Sequence, residues 1–307
     1  MSSTSPTPRT PAPSLERPVV SVGMPAYNAA QTIRGSIDCL LSQTLRNLEL
    51  IISDNASTDG TWDIIDEYAR KDPRIIAIRQ RDNIGANGNY SAVFSKARGR
   101  YFKWASSNDW CAPQFLERCA AHLDEHPETV LVSPRTRLFE GALDRFTDYE
   151  RDVSFEQADP VDRFVAVGTL LALNNVLNGV ARTEVLARTR LIEHYVGADT
   201  VLIGHLALLG KISLLDERYF YRRMDQQTAT QLMSAEALAR HHYPTRTRRS
   251  LFSAWRRVGG SLHAAVSSGL STTDALRALR WVLRTTYWSA GELRRDVADA
   301  IAYSVRR

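Results

Sequence analysis

Cysteine is scarce and scattered in this 307-residue sequence. The three cysteines, Cys39, Cys111 and Cys119, form no CxxC spacing and no cluster with histidine. An odd number of isolated cysteines argues against a disulfide framework or a structural zinc site, and it is typical of a reducing compartment. We therefore expect a cytoplasmic protein.

Long hydrophobic runs are also lacking. No stretch approaches the roughly 18 consecutive apolar residues that suggest a membrane-spanning helix. Residues 1–17 are rich in serine, threonine and proline, and they lack the apolar core of a signal peptide. We expect this segment to be a disordered lead-in that is too polar to pack.

Acidic residues are rare in the C-terminal part of the sequence. From Arg240 to Arg307 there are thirteen arginines, no lysine and four acids, which gives a net charge of +9. The rest of the chain therefore carries −4 of the overall +5. This asymmetry favours contact with something anionic, namely a membrane, a lipid phosphate or nucleic acid.

A helix predicted within this tail places three arginines on one face, with aromatic residues close by: Arg277, Arg280 and Arg284, and Trp281, Tyr287 and Trp288. One interpretation is an interfacial helix that holds the protein at the inner face of an anionic membrane. The other, which we favour, is a helix packed on the main domain with a solvated arginine face.

The first half of the chain alternates short apolar runs with amphipathic segments. The runs that predict strands are 19–22, 48–52, 74–78, 101–105 and 129–132. The segments that predict helices are 29–42, 61–71, 88–97 and 113–125. This alternation predicts an α/β fold, a doubly wound and mostly parallel sheet with helices on both faces. Ligands bind at the carboxyl ends of strands in such sheets, so the polar segments that follow them should converge on one cleft.

The second half is less regular. The pattern predicts loops over 135–159, a strand entering a helix over 179–190, a helix over 199–209, strands at 211–214 and 219–223, and helices beyond Ser234. We therefore expect one large domain over residues 18–233, with halves that meet at 133 and 134, and a basic helical extension over 234–307.

Residues after three of the strands have chemistry that suits a nucleotide. Tyr27 could supply a flat face for a base and Asn28 a polar edge, although Asn28 also suits a helix N-cap. Asp54 could accept from a base N–H or a ribose hydroxyl, or it could close an Asx turn. Asp109 is a candidate ligand for a divalent cation that neutralises a diphosphate, or a cap for the next helix.

A fourth candidate lies later in the chain. Asp199 closes the segment Val196-Gly197-Ala198-Asp199 and could face the cleft to deprotonate a hydroxyl. The alternative is another helix N-cap, which is the better interpretation of this segment in isolation.

Taken together, these segments resemble glycosyltransferase family 2. The resemblance rests on VSVGMPAYN from Val20, SQT from Ser42, SDNASTDGT from Ser53, NIG from Asn83 with Asn89, and ARGRYFKW from Ala97. It is dense over 19–132, thin over 179–228 and absent in the tail.

The resemblance implies a GT-A fold and an inverting transfer of sugar from a nucleotide-diphosphate sugar to an acceptor hydroxyl, in polysaccharide, glycolipid or cell-surface glycan synthesis. It implies that residues 18–133 bind the donor and 134–233 face the acceptor, which would be a glycan, a lipid-linked sugar or a small molecule. By family position, Asp199 is the catalytic base, Asp54 contacts the nucleoside and Asp109 holds the metal. The other donor-binding residues that it implies are Pro25, Tyr27, Asn28, Asn55, Asn83, Asn89, Asn108, Arg222 and Arg223.

Two positions depart from the family pattern. The family has two or three acids where this chain has Ser106, Ser107, Asn108 and Asp109, and a histidine often stands where this chain has Met224. The implied cofactor is Mn²⁺ or Mg²⁺, held by Asp109, with Asp225 as a second candidate. Alternatively, the arginines at 222 and 223 could neutralise the diphosphate themselves.

Other classes fit less well. A nicotinamide-dependent dehydrogenase would need GxGxxG after the first strand, where this chain has GMPAYN. A nucleic-acid binder would explain the tail but none of the cleft residues, so we expect no nucleic acid. A relative that binds nucleotide sugars without catalysis is the alternative, and Asn108 and Met224 support it. The sequence has no motif for the sugar, the acceptor, the linkage or the oligomeric state.

Overall fold

The strands of the described residues, 17–225 and 252–305 of the computed structural model, form one nine-stranded mixed sheet. Across the sheet the strands follow the order β3 (Ile75–Arg79), β2 (Leu48–Asp54), β1 (Val20–Ala26), β4 (Tyr101–Trp104), β8 (Val180–Arg182), β6 (Thr129–Phe139), β9 (Lys211–Arg223) and β5 (Trp110–Cys111). The ninth strand, β7 (Phe146–Asp148), pairs with β6. The predicted doubly wound α/β fold is confirmed. Most of the predicted lead-in (1–16) and the first part of the predicted helical extension (234–251) lie outside the described residues.

The first four strands are parallel and form the expected half of the sheet. They are β1 (Val20–Ala26), β2 (Leu48–Asp54), β3 (Ile75–Arg79) and β4 (Tyr101–Trp104), and they alternate with α1 (Ile33–Leu41), α2 (Thr61–Lys71) and α3 (Ala86–Phe94). α3 lies against β1 at Gly23, where an added Cβ would stand 2.7 Å from both Phe102 Cζ and Val93 Cγ2. Only glycine permits this close approach.

The remaining strands are mixed in direction. They are β5 (Trp110–Cys111), β6 (Thr129–Phe139), β7 (Phe146–Asp148), β8 (Val180–Arg182) and β9 (Lys211–Arg223). β8 is antiparallel to both β4 and β6, whereas β9 is parallel to β6 and antiparallel to β5. The helices of this half are α4 (Phe115–Glu125), α5 (Pro160–Leu170), α6 (Thr183–Leu186) and α7 (Ala198–Leu209), with a 3₁₀ helix at Asn175–Asn178.

Two predictions for this half were wrong. The segment 135–159, expected as loops, contains the end of β6 and all of β7, whose three residues are exposed. The two short strands expected at 211–214 and 219–223 are one strand, β9. The polar residues Asp216 and Glu217 interrupt its apolar pattern, and the pairing with β6 is irregular there, since Pro134 faces Leu215 whereas Thr136 faces Phe220.

Three further helices close the described chain: α8 (Ser253–Ser267), α9 (Thr272–Trp288) and α10 (Ala290–Val305). A separate apolar cluster joins α8 and α9 to α5 and α7, with Phe164, Leu208, Ala264 and Val282 among its buried members. A cavity of about 370 Å³ lies between these four helices. None of the helices in the described ranges has the length and hydrophobicity to cross a membrane.

The three arginines of α9 do not share one solvated face. Arg277 turns toward α5, where its guanidinium lies 2.6 Å from Asp159 Oδ2 and 3.1 Å from Asp162 Oδ1. Arg280 and Arg284 are exposed. The favoured interpretation, a helix packed on the main domain, therefore holds for the side of α9 that buries Ala278 and Val282, and Arg277 is ion-paired at its edge.

Candidate active site

The loops after β1 and β2 are tied together at the carboxyl edge of the sheet. Asn28 Oδ1 accepts from the Thr58 N–H, and the Asn28 N–H donates to Ser57 Oγ, each at 2.9 Å. Asn28 has a φ of +48°, a left-handed conformation that asparagine tolerates. Its side chain therefore joins two loops. Asn28 is not the N-cap of α1, because Thr32 occupies that position. Tyr27 lies next to this link with 47% of its surface exposed.

Asp54 ends β2 inside this cleft and is fully buried. Its Oδ2 accepts from the Ser57 N–H at 3.3 Å and lies 3.9 Å from Arg79 Nε. Its Oδ1 has no hydrogen-bond partner among the described residues. A buried carboxylate oxygen without a donor is costly, so this atom is suited to a ligand N–H or O–H.

Three asparagines predicted to bind the donor also make hydrogen bonds that hold the loops of the cleft together. Asn55 Nδ2 donates to Asn83 Oδ1 at 2.9 Å, and Asn55 Oδ1 accepts from the Ile84 N–H at 2.9 Å. Asn89 Nδ2 donates to the Ser53 carbonyl at 2.8 Å, next to Pro25, which pairs with Ser53 in the sheet. The Asn89 Oδ1 atom is buried and has no partner within the described ranges.

Asp109 lies at the other side of the cleft, against the end of β9. Its Oδ1 accepts from the Arg223 N–H at 2.9 Å. Burial raises the pKa of Asp109, while the Arg223 N–H and the charge of Arg222 oppose that shift. The Arg223 guanidinium donates to the Asn108 carbonyl at 3.2 Å and lies 2.8 Å from Asp225 Oδ2. Asp109 therefore lies among the predicted arginines, and Asp225 is engaged as their counter-ion.

Asp199 lies in the first turn of α7 rather than at its N-cap. The cap position is Gly197, whose φ of +85° favours glycine. Asn174 Nδ2 donates to Asp199 Oδ2 at 2.8 Å, and the adjacent Asn175 Oδ1 accepts from Arg222 Nη1 at 2.7 Å. Two neighbouring asparagines therefore connect the predicted base to the predicted diphosphate-side arginine.

Tyr90 on α3 lies between these groups, and the sequence patterns did not single it out. The pKa of its hydroxyl is raised, first by burial and then by the Asp109 carboxylate. Asp199 raises this pKa further and Arg222 lowers it, so all three charges act on one hydroxyl. Trp104 Nε1 donates to the Tyr90 carbonyl at 3.1 Å and holds this turn in place.

A buried lysine supports the segment that carries the asparagines. Lys103 of β4 donates to the carbonyl of Asn178, the last residue of the 3₁₀ helix. Its ammonium lies 4.3 Å from the centre of the Phe115 ring and 5.4 Å from that of Phe220, so cation–π contacts help to compensate its burial.

Few side chains of the cleft could act as ligands to a metal ion. The described residues contain no cluster of three or more His, Cys, Asp or Glu side chains that could hold a metal ion. Mg²⁺ commonly binds through one or two carboxylates together with substrate phosphates. Asp109 therefore fits a divalent cation that takes most of its ligands from a diphosphate.

Comparison with known proteins agrees with this arrangement. Residues 21–166 match the family model described as glycosyl transferase family 2. An uncharacterized protein of Mycobacterium tuberculosis is 32% identical over 205 residues, which cover 64% of this chain and 57% of that protein. The Escherichia coli enzyme WfaP, a UDP-Glc:α-D-GlcNAc-diphosphoundecaprenol β-1,3-glucosyltransferase, is 42% identical over 92 residues, 30% of this chain and 36% of WfaP. The chain thus spans little more than half the length of the mycobacterial relative.

Solved structures show the same fold. Staphylococcus aureus TarS 1–349 in complex with UDP-GlcNAc has a TM-score of 0.60 at 18% identity, over 87% of this chain and 72% of TarS. The Pyrobaculum calidifontis mannosyltransferase PcManGT, in complex with GDP-Man and Mn²⁺, has a TM-score of 0.51 at 16% identity, over 96% of this chain and 83% of PcManGT. The predicted GT-A fold is confirmed, and residues 21–166 carry a glycosyl transferase family 2 domain.

Proposed function

We propose that the protein transfers a sugar from a UDP-sugar to an acceptor hydroxyl, with inversion at the anomeric carbon. One observation carries the proposal: three hydrogen bonds link Asp109 to Asp199 through two pairs of sequence neighbours, the arginines at 222 and 223 and the asparagines at 174 and 175. These bonds bring a donor-side carboxylate and an acceptor-side carboxylate to the same cleft.

The nucleoside would bind at the ends of β1 and β2. The unpartnered Oδ1 of Asp54 would accept from the ring N–H of a uracil, and the exposed Tyr27 ring would cover the base. Two similar proteins support the uridine nucleotide: TarS was crystallised with UDP-GlcNAc, and WfaP is named for UDP-Glc.

The diphosphate would lie against Asp109 and the arginines at 222 and 223. Both guanidinium groups can donate charge-assisted hydrogen bonds to phosphate oxygens. A divalent cation, when bound at Asp109, would neutralise the charge that develops on the departing diphosphate. PcManGT, crystallised with Mn²⁺, supports this cofactor.

Asp199 would act as the general base. A single displacement needs a base on the side of the sugar that faces away from the diphosphate, and the transition state would resemble an oxocarbenium ion. Asn174 would hold the carboxylate in one orientation while it accepts the proton of the acceptor hydroxyl. The name of WfaP supports a lipid-linked diphosphate sugar as the acceptor, and polysaccharide or cell-surface glycan synthesis as the setting.

The test is a panel of UDP- and GDP-sugars, scored for thermal stabilisation and for turnover with and without lipid-linked acceptors. A donor used well above its dissociation constant should stabilise the protein by roughly 3 to 4 kcal/mol. We expect stabilisation by at least one UDP-sugar and a transferred product whose anomeric configuration, read by NMR, is opposite to that of the donor. Binding without either hydrolysis or transfer of any donor would instead identify an inactive nucleotide-sugar-binding relative.

A further inference from the structure

One face of α9 combines exposed apolar side chains with arginines and contains no acid. At about 100° per residue, seven of the exposed side chains of the helix fall within an arc of roughly 140°. The members of this face are Thr273, Leu276, Arg280, Leu283, Arg284, Tyr287 and Trp288. Leu283 is 62% exposed and Tyr287 80% exposed, so the apolar members are not covered by the described chain.

The opposite side of the same helix is fully engaged with the protein. Ala278 and Val282 are buried in the cluster with α5 and α8, whereas Arg277, at the edge of the exposed face, is bound by the acids of α5. The outward face is therefore not needed to hold α9 in place, and its leucines are not part of a core. A contiguous exposed apolar face on a helix that is already packed indicates an interaction surface.

We propose that this face lies on an anionic membrane surface. Arg280 and Arg284 make no ion pair with any described residue, whereas Arg277 makes three. The Arg284 guanidinium lies 4.6 Å from the centre of the Trp288 ring, a pairing that exposes both a cation and an indole. This arrangement matches an interfacial helix. The leucines would insert among the lipid chains, the tyrosine and tryptophan would lie at the headgroup level, and the arginines would contact lipid phosphates.

A second copy of the chain is a poorer occupant. A two-fold interface pairs a patch with itself, so the arginines of one copy would meet those of the other with no acid on the face to balance them. An anionic bilayer provides both the apolar layer and the complementary charge.

The experiment is sedimentation of the full-length protein with vesicles of phosphatidylglycerol and phosphatidylcholine, in the absence of donor. We expect binding at low salt that weakens at high salt, and little binding to phosphatidylcholine alone, because surface attraction decays within a Debye length. The Arg280→Gln/Arg284→Gln variant should partition about thirtyfold less, since each arginine contributes about a fivefold step near an anionic surface. Leu283→Ser/Tyr287→Ser should also lose binding, and it tests the apolar part separately.

Arg46→Gln/Arg70→Gln is the matched control, because it removes the same charge from exposed positions of the N-terminal half and should bind as the wild type does. All variants should keep the wild-type circular dichroism and rate of donor hydrolysis, which separates this surface from the proposed chemistry. Absence of binding at low salt, or binding that the α9 variants do not change, would overturn the proposal. A dimer that Leu283→Ser/Tyr287→Ser dissociates would overturn it too, because the face would then be an interface between copies.

Discussion

Asn174 Nδ2 donates a hydrogen bond to Asp199 Oδ2 over 2.8 Å. The partner amide oxygen, Asn174 Oδ1, is buried and has no hydrogen-bond partner among the described residues. The amide therefore fixes the carboxylate on one side and leaves an acceptor atom for a ligand hydroxyl on the other. Its neighbour Asn175 holds Arg222 through its amide oxygen, which accepts from Arg222 Nη1, so one short segment orients both sides of the proposed reaction.

Asp199→Asn should remove the general base without disturbing its position. An asparagine can still accept from Asn174 through its amide oxygen, so the local hydrogen bond survives while the basicity is lost. Sugar transfer should fall by about two to four orders of magnitude, with the dissociation constant of the UDP-sugar unchanged. Single-turnover rates and calorimetric titration measure the two quantities. Near-normal transfer by this variant would show that another group takes the proton.

Asn174→Ala should lower kcat more than it changes donor binding, because it frees the Asp199 carboxylate to rotate. We expect a loss of about tenfold to a hundredfold in kcat, which is smaller than that of the base itself. Asn175→Ala is the matched neighbour, and it should instead raise the KM of the donor, since it releases Arg222. If both variants changed the same constant, the asparagines would have only a shared structural role.

The donor half of the site could be predicted from sequence because its signals are local. Four apolar runs became the parallel strands β1 to β4, and polar residues after those strands must meet at one edge of the sheet. Asp54 was placed there by this rule alone. The amides of Asn55 and Asn83 are hydrogen-bonded to each other and to the loop backbone, and their role in donor binding stays a prediction.

The acceptor half depends on pairings between distant segments, which no periodicity reveals. Asn174 caps and Asn175 begins a 3₁₀ helix of four residues, too short for an amphipathic pattern. The start of α5 is visible in the sequence. Asp159 caps the helix and Pro160 occupies its first turn, a combination that marks helix N-termini. The ion pairs of Arg277 with α5 depend on the packing of α9 against α5, which a helical wheel alone does not show.

Asp54→Asn should weaken donor binding selectively. The substitution replaces a charged acceptor with an amide, and a hydrogen bond to a charged group contributes about 1.5 to 3 kcal/mol, so affinity should fall roughly tenfold to a hundredfold. Glu49→Gln is the control in the same strand: Glu49 is also buried, but it is bound by the Arg98 guanidinium at 2.7 Å near the amino end of β2. That variant should lose stability and keep its donor affinity. Equal donor affinity in wild type and Asp54→Asn would remove Asp54 from the site.

Asp109→Asn should abolish any gain in UDP affinity that manganese provides. The other nearby acid, Asp225, is bound by Arg223 and by the Gly141 N–H, so it offers little to a metal. We expect calorimetric titration of the wild type with UDP to show tighter binding in the presence of Mn²⁺, and the variant to show no difference. If the wild type bound UDP with the same affinity with and without Mn²⁺, we would assign the neutralisation of the diphosphate charge to Arg222 and Arg223 instead of a metal.

His205 should make stability depend on pH below neutrality. It is buried on α7 against α8, with its ring centre 6.1 Å from that of His263. Burial, and then the proximity of His263, lowers the pKa of His205 to about 4. The ordinary value is about 6.5, so between these two pH values the unfolded chain binds a proton that the folded chain refuses. The free energy of unfolding should therefore fall as the pH drops from about 6.5 toward 4, by about 3 kcal/mol from this residue, whereas above pH 6.5 the contribution is complete.

Urea unfolding of wild type and His205→Gln across this pH range isolates the contribution, because the other titrating groups are common to both proteins. The variant should lose less stability on acidification than the wild type does, whatever its stability at neutral pH. Because His205 packs beneath α8, hydrogen exchange should show that acid exposes the amides of α8 before those of β1 and β2. Parallel pH profiles for wild type and His205→Gln would show that this histidine is protonated in the folded protein as readily as in the unfolded chain.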